Sequence, residues 1–195
     1  EVSHSLDLRE ILNNALDQVL AVLPLDAEQA FQLEDETQTL ISIVHRGLSD
    51  DFVRFSHRLP LLAGLADQAV EERQPVVRSV ADYPDGELRD RVVREGLLWI
   101  VSIPLIAQGR AVGALNLGSR TPSTVTPEEL SLMAAIGHQI GVAVENAQLY
   151  KQAQQLAVIR ERNRLARDLH DSVMQALYGV TLYAEAAWRQ LSSGD

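Results

Sequence analysis

Apolar residues recur at helical intervals over residues 8–23, "LREILNNALDQVLAVL", where Leu8, Ile11, Leu12, Ala15, Leu16, Val19 and Leu20 share one side. This spacing predicts an amphipathic helix, closed by Pro24. The pattern then shortens. "AEQAFQLEDETQTLISIVHRG" holds two apolar runs around a polar "EDETQ", which predicts a β-hairpin. Leu48 to Leu59 is polar and irregular and predicts no regular element. "LAGLADQAVEERQ" reads as a helix, Pro75 introduces the strand-like "VVRSV", and "DGELRDRVVREG" reads as a short charged helix.

Two β-rich runs follow, "LLWIVSIPLIA" and "AVGALNLGS", joined at "QGR" (108–110). That join predicts a hairpin turn, because glycine accepts the positive φ such turns need. "TVTPEELSLMAAIGHQIGVAVENAQLY" then opens with Thr126 as N-cap, Pro127 at the first helical position and Glu129 at the third, a capping box with a pre-set φ. Nothing stops this helix before Leu191, and a continuous helix from Thr126 would run about 100 Å. The order of elements predicts one α+β domain over residues 1–150, followed over 151–195 by a helical segment that projects from it.

The late segment carries its own pattern. Ala166, Leu169, Val173, Ala176, Val180, Tyr183 and Ala187 are spaced alternately by three and four residues, a heptad seam. Such a seam needs another helix to cover it, in a coiled coil or a bundle. A second copy of the chain supplies one. Ahead of it Ala143, Ala147, Tyr150, Ala153 and Leu156 make a looser stripe, and "IRERNR" (159–164) interrupts the apolar pattern with charges. That interruption is either a weak point where the coil shifts register or a plain solvated stretch.

Composition narrows the function classes. With 46% hydrophobic residues the 195-residue chain can bury a core. Its 17 basic and 27 acidic residues give a net charge of −10, which disfavours a nucleic-acid partner. The absence of cysteine removes disulfides, thiolate metal sites and sulfur-linked cofactors, and fits a reducing, cytoplasmic compartment. The longest apolar run, Gly96 to Ala107, is broken by Ser102 and Pro104 and is too short to span a bilayer, which takes roughly 20 residues. No signal peptide opens the chain, and its two ends suggest a piece of something longer.

Candidate chemistry lies on the flank of the seam, at His170, Asp171 and Gln175 in "RDLHDSVMQALYG" (167–179). Gln175 is one turn beyond Asp171, on the same helix face. A carboxylate that accepts a hydrogen bond from the imidazole Nδ1–H leaves Nε2 free as a nucleophile and stabilises the cation that forms. Gln175 cannot take a proton, but its amide can orient a water. On residue chemistry alone, a His–Asp pair on a solvated helix face is the plainer reading.

The longer stretch "ERNRLARDLHDSVMQALYG" (161–179) resembles the phosphoacceptor region of sensor histidine kinases of the nitrate-sensor class, with the core E-R-x-R-[IL]-A-R-[DE]-L-H-D-x-[VL]-x-Q. The resemblance implies that His170 is the phosphorylated histidine, Asp171 the base or orienting acid, and Gln175 the residue that positions water when the partner's aspartyl phosphate is hydrolysed. It further implies a homodimer, a cognate DNA-binding response regulator, and ATP with Mg in a separate catalytic domain. In that family the dimerisation domain has two helices per chain. Only the first is in these 195 residues and the ATP-binding boxes are not, so this chain alone is expected not to phosphorylate itself.

"IPLIAQGRAVGALNLGSR" (103–120) and "TPEELSLMAAIGHQIGVAVENAQLY" (126–150) resemble the last strand pair and final helix of GAF domains. That family implies a six-stranded antiparallel sheet with helices on one side, and by itself names no ligand. The N-K-F-D-E type motif of cyclic-nucleotide binders is not found, and bilin attachment would need a cysteine. Haem-binding relatives carry a histidine just before the "IPL"-type strand, and Asp82 to Leu98 has none.

The other histidines have plain readings: His4 in the N-terminal tail, His45 at an exposed strand edge, His57 in a polar loop, and His138 as a packing or dimer contact. Gly137 and Gly141 cost about 1 kcal/mol each in a helix, which close approach to the sheet or to a dimer mate would offset. Trp99 and Trp188 read as core and seam aromatics. Two rivals remain to the kinase reading: a GAF receptor module for haem or another small molecule, with the helix only a dimerisation element, and a passive dimerisation element.

Overall fold

The computed structural model describes residues 9–10, 12–14, 16–17, 25–61, 64–122 and 125–192, the side chains of 176 and 190–192 excepted. The described residues before 18 are helical, and Leu12 and Leu16 among them are buried. The rest of the predicted 8–23 helix, and His4, lie outside the described residues.

The order is β1 (Ala27–Glu34), β2 (Thr39–Arg46), α1 (Asp50–Phe55), β3 (Arg58–Pro60), α2 (Leu65–Glu72), β4 (Val76–Ser79), a 3-10 turn (Val80–Asp82), α3 (Glu87–Arg94), β5 (Trp99–Ala107), β6 (Arg110–Ser119) and α4 (Pro127–Ser192). The strands form one six-stranded sheet in the order β3-β2-β1-β6-β5-β4, and every neighbouring pair is antiparallel. The edge strands β3 and β4 have three and four residues, so little unpaired backbone is left to recruit another chain. At the β5–β6 turn both central residues, Gln108 and Gly109, have positive φ (48° and 77°), the turn whose twist suits a hairpin.

Side-chain alternation sends β5 to two different surroundings. Val101, Ile103 and Leu105 join Leu115 and Leu117 of β6 in a core closed by Leu12, Leu16 and, from α4, Met133, Ile140 and Val144. Ile100 points the other way, into a second cluster with Phe52 of α1, Leu65 of α2, Val92 of α3, Val80 and Tyr83. The antiparallel sheet and long C-terminal helix agree with the sequence reading. Helix α4 packs on the first of these cores, and α1, α2 and α3 on the second.

Residues 48–59, expected to be irregular, contain α1. Ser49 caps it by accepting a hydrogen bond from the Phe52 amide, and Asp50 and Asp51 supply acid at the positive end of the helix dipole. The start of α4 is as predicted: Thr126 Oγ1 accepts from the Glu129 amide (3.2 Å), and the Glu129 carboxylate accepts from the Thr126 amide (2.8 Å).

Gly137 and Gly141 lie where α4 crosses β5. A Cβ at Gly137 would stand 2.6 Å from Ile103 Cγ2 and 2.8 Å from the Pro104 carbonyl oxygen, and one at Gly141 would meet the Ile106 backbone. Close approach to the sheet is thus what offsets their low helix propensity. His138 lies between them, with Nδ1 2.9 Å from the Ile106 carbonyl oxygen. Backbone contacts divide the chain into two compact units, Glu1–Gln148 and Leu149–Asp195.

Candidate functional site

The described part of the second unit is helical throughout to Ser192. Its charged segment is locked locally. The Arg164 guanidinium donates to Glu161 (Nη2–Oε1 2.7 Å) and to Asp168 (Nη1–Oδ2 2.7 Å), one turn before and one turn after it. The hydrogen bond from Arg164 holds the Glu161 carboxyl below its usual range and raises the Arg164 guanidinium.

His170, Asp171 and Gln175 are all solvent-exposed. Helical geometry puts Asp171 and Gln175 on one face, about 6 Å apart along the axis. His170 and Asp171 are sequence neighbours about 100° apart around the axis. Among the described residues none of the three has a hydrogen-bond partner, and the bond between Asp171 and the imidazole is not made in the single chain. Both nitrogens of His170 are open to a substrate. An exposed imidazole suits nucleophilic attack on a group delivered from outside.

The seam residues beside it are uncovered. Leu169 is 67% exposed and Tyr183 81%, with Val173 and Val180 also open. The exposed apolar surface is broader than the seam, since Leu165, Met174, Leu177, Tyr178, Leu182 and Trp188 are exposed as well. Trp188, expected in a seam, is open in the single chain, whereas Trp99 is buried and donates its Nε1–H to the Thr121 carbonyl (3.1 Å). His45 is exposed, as predicted, and His57, in the short connection between α1 and β3, is exposed as well.

The first unit holds a cavity of about 400 Å³ on the face of the sheet covered by α1, α2 and α3. Its walls are apolar, with Phe31, Phe52, Leu65, Val92 and Ile100 prominent. Polar side chains cross the sheet beneath it: Gln29 of β1 is paired with Asn116 of β6, and Asn116 with Ser102 of β5. Gln29 is saturated, donating to Ser42 Oγ (3.0 Å) and Ser56 Oγ (2.9 Å). Asn116 Oδ1 and Ser102 Oγ are buried without a partner. Burial without a partner costs roughly 1–3 kcal/mol for such a group, so these two atoms are candidates to bind something.

Sequence reasoning missed this site. Part of its signal was present, because Ser102 and Asn116 are single polar residues inside the apolar stretches of β5 and β6, whereas Gln29 lies among other polar residues of β1. Among the described residues no group of three or more His, Asp or Glu side chains is placed to hold a metal, and no helix is long and apolar enough to cross a membrane.

Comparison with known proteins agrees with both halves of the sequence reading. The model of the GAF domain family matches residues 5–145, and the model of a histidine kinase family matches residues 161–195. The chain belongs to the GAF domain family, and the segment behind that domain is similar to a histidine kinase family. A sensor histidine kinase of Bacillus subtilis (strain 168), YhcY, is 40% identical over 93 residues, covering 48% of this chain and 24% of that protein. The chain therefore spans about a quarter of the length of this curated relative.

Among solved structures, the GAF domain of a two-component sensor histidine kinase from Bacillus halodurans superposes with a TM-score of 0.61 at 22% identity, over 73% of this chain and 96% of that one. A GAF domain/HD domain protein from Geobacter sulfurreducens gives 0.64 at 13% identity, over 76% and 99%. These likenesses carry the fold.

Proposed function

We propose that this chain is the sensory and phosphoacceptor portion of a two-component sensor histidine kinase, and that His170 carries the phosphoryl group. Nε2 of the neutral imidazole attacks the γ-phosphorus of ATP. The N–P bond forms as the bond to the bridging oxygen breaks, and ADP leaves. In this reading Asp171 turns toward Nδ1–H in the assembled kinase and stabilises the charged ring. The phosphoryl group then passes to an aspartate of a DNA-binding response regulator, breaking N–P and forming O–P. In the opposing phosphatase reaction Gln175 orients the water that attacks that aspartyl phosphate, breaking its O–P bond and releasing inorganic phosphate and the free aspartate.

The observation that carries this reading is an open imidazole, followed by an acid and an amide one turn apart, inside the 35 residues that match a histidine kinase family. The broad uncovered apolar surface beside it supports a homodimer whose helices bury it in a bundle. ATP, Mg and the catalytic domain belong to the longer protein, which acts in the cytoplasm, and a signal in the GAF domain governs the reaction by shifting the rotation or register of the helices. Incubating the chain with that catalytic domain and γ-labelled ATP tests the proposal. Label that is stable in alkali, lost in acid and absent from His170→Ala supports it. Label that persists in His170→Ala overturns it.

The cavity favours a second reading, in which the first unit is a small-molecule receptor and the helix serves only dimerisation. Haem does not fit its donor set. The described lining contains no histidine, and burial pushes the Tyr83 phenol up to about 12, which opposes a phenolate ligand to iron. A different kind of ligand is required.

A further inference from the structure

From the residues around the cavity we infer that its ligand is a small amphipathic organic acid, whose anionic group is held by Arg78 and whose far end meets Asn116. This inference rests on the receptor reading and adds a chemical class to it.

Three groups define the class. The first is Arg78, a half-buried arginine at the cavity. Its Nη2 donates to Gln68 Oε1 (2.7 Å) and its guanidinium lies over the Tyr83 ring at 5.7 Å. Both contacts fix the group without neutralising it, and among the described residues no carboxylate pairs with it. The acids around the cavity are engaged elsewhere: Asp85 with Arg89, Glu87 with Arg91, and Asp67 with the Gly64 amide. A guanidinium with fixed orientation and no counter-charge is an anchor for a carboxylate, which it can bind through two parallel hydrogen bonds.

The second group is the apolar wall between. A partly desolvated charge facing Phe31, Phe52 and Ile100 favours a ligand that brings its own anion on a hydrophobic body, and disfavours a bare inorganic ion. The third is the Asn116 amide. Its Oδ1 is buried with no partner, while the neighbouring Gln29 amide is already saturated. A ligand that donates a hydrogen bond there removes a standing desolvation cost.

The sheet register places the two anchors. Arg78 is opposite Ile100, Ile100 is opposite Gly118, and Asn116 lies two residues from Gly118 on β6. Two strand spacings and two residues along a strand separate the Cα atoms by roughly 12 Å. That span and a cavity of about 400 Å³ suit a one- or two-ring acid, or a medium-length aliphatic acid, that carries an N–H or O–H donor at its far end.

The test is calorimetric titration of the whole chain with indole-3-acetate, 3-(4-hydroxyphenyl)propionate and 8-hydroxyoctanoate, each beside its uncharged primary amide. The proteins are the native chain, Arg78→Gln and Asn116→Ala, with melting curves to confirm folding. At least one acid should bind at one per chain and at least tenfold more tightly than its amide. Arg78→Gln should erase that preference by weakening the acid at least tenfold more than its amide, and Asn116→Ala should weaken both. Acids and amides binding equally would overturn the acid class and leave a receptor cavity standing. Binding by none of the six compounds would overturn both.

Discussion

Glu28 and Arg46 stand directly opposite each other in the β1–β2 ladder, yet make no hydrogen bond. The Arg46 guanidinium is drawn to Asp17 (2.6 Å) and to the backbone and side-chain oxygens of Asn13 (3.3 and 3.2 Å). Glu28 is only 2% exposed, and both of its carboxylate oxygens are buried without a partner. Burial pushes its pKa from 4.5 up to about 7; Arg46 opposes the rise and Asp17 adds to it.

The consequence for stability has a definite sign. Below about pH 4.5 the carboxyl is protonated in both folded and unfolded chains and adds no pH dependence. Between 4.5 and 7 the folded protein holds a proton that the unfolded chain has released, so stability falls as pH rises. Above 7 the cost is complete, at most on the order of 3 kcal/mol. Glu28→Gln should therefore unfold at higher denaturant concentration than the native chain at pH 8. The gain should shrink steadily toward pH 5. An equal or lower midpoint at pH 8 would show that the carboxylate has found a partner.

The contact of α4 with β5 predicts opposite outcomes for two glycine substitutions. Gly141→Ala gains about 1 kcal/mol in helix propensity, but its methyl group meets the Ile106 backbone, which has no room to yield. A net loss of about 1–3 kcal/mol is expected by overpacking. At Gly179 nothing lies within 4 Å of an added Cβ, so Gly179→Ala should raise helicity. Denaturant unfolding for the first and far-ultraviolet circular dichroism for the second would read these effects.

If the uncovered helix surface is a dimer interface, a charge placed in it should break the assembly. Val180→Asp should convert a species of about 43 kDa in light scattering, twice the chain's 21.5 kDa, to one near 21.5 kDa. A native chain that already scatters as a monomer would contradict the homodimer.

Gln175 is assigned to hydrolysis alone. Gln175→Ala should therefore accept phosphate at His170 at the native rate. Dephosphorylation of the partner regulator should slow by about tenfold or more, the usual scale for losing a positioning group. An equal slowing of both reactions would point to a structural role.

How much was legible in the sequence depended on whether each element had one dry face or two. The cap at Thr126, the turn at Gln108–Gly109 and the β1–β2 hairpin are written in local chemistry and could be read directly. β5 could not be read as facing two surroundings. "WIVSIPLIA" is apolar on both sides, so its periodicity is silent about which residues meet α4 and which meet the cavity. The six residues of α1 bury only Phe52, too little for a periodic signal, although Ser49 and the acids behind it mark a helix start. The histidine motif was legible by resemblance, but the absence of an Asp171–His170 bond in the single chain was not. Adjacent helical residues diverge around the axis, and a sequence match cannot report rotamers.

The central claim is that phosphate rides on one imidazole, and locating it tests that claim most directly. After labelling with the catalytic domain and ATP, cleavage by trypsin at Arg167 and Arg189 releases residues 168–189, in which His170 is the only histidine. Mass spectrometry at alkaline pH should find the phosphate on that peptide, at His170, and brief acid treatment should remove it. Phosphate on Ser172 or at His138, or a linkage that survives acid, would contradict the account.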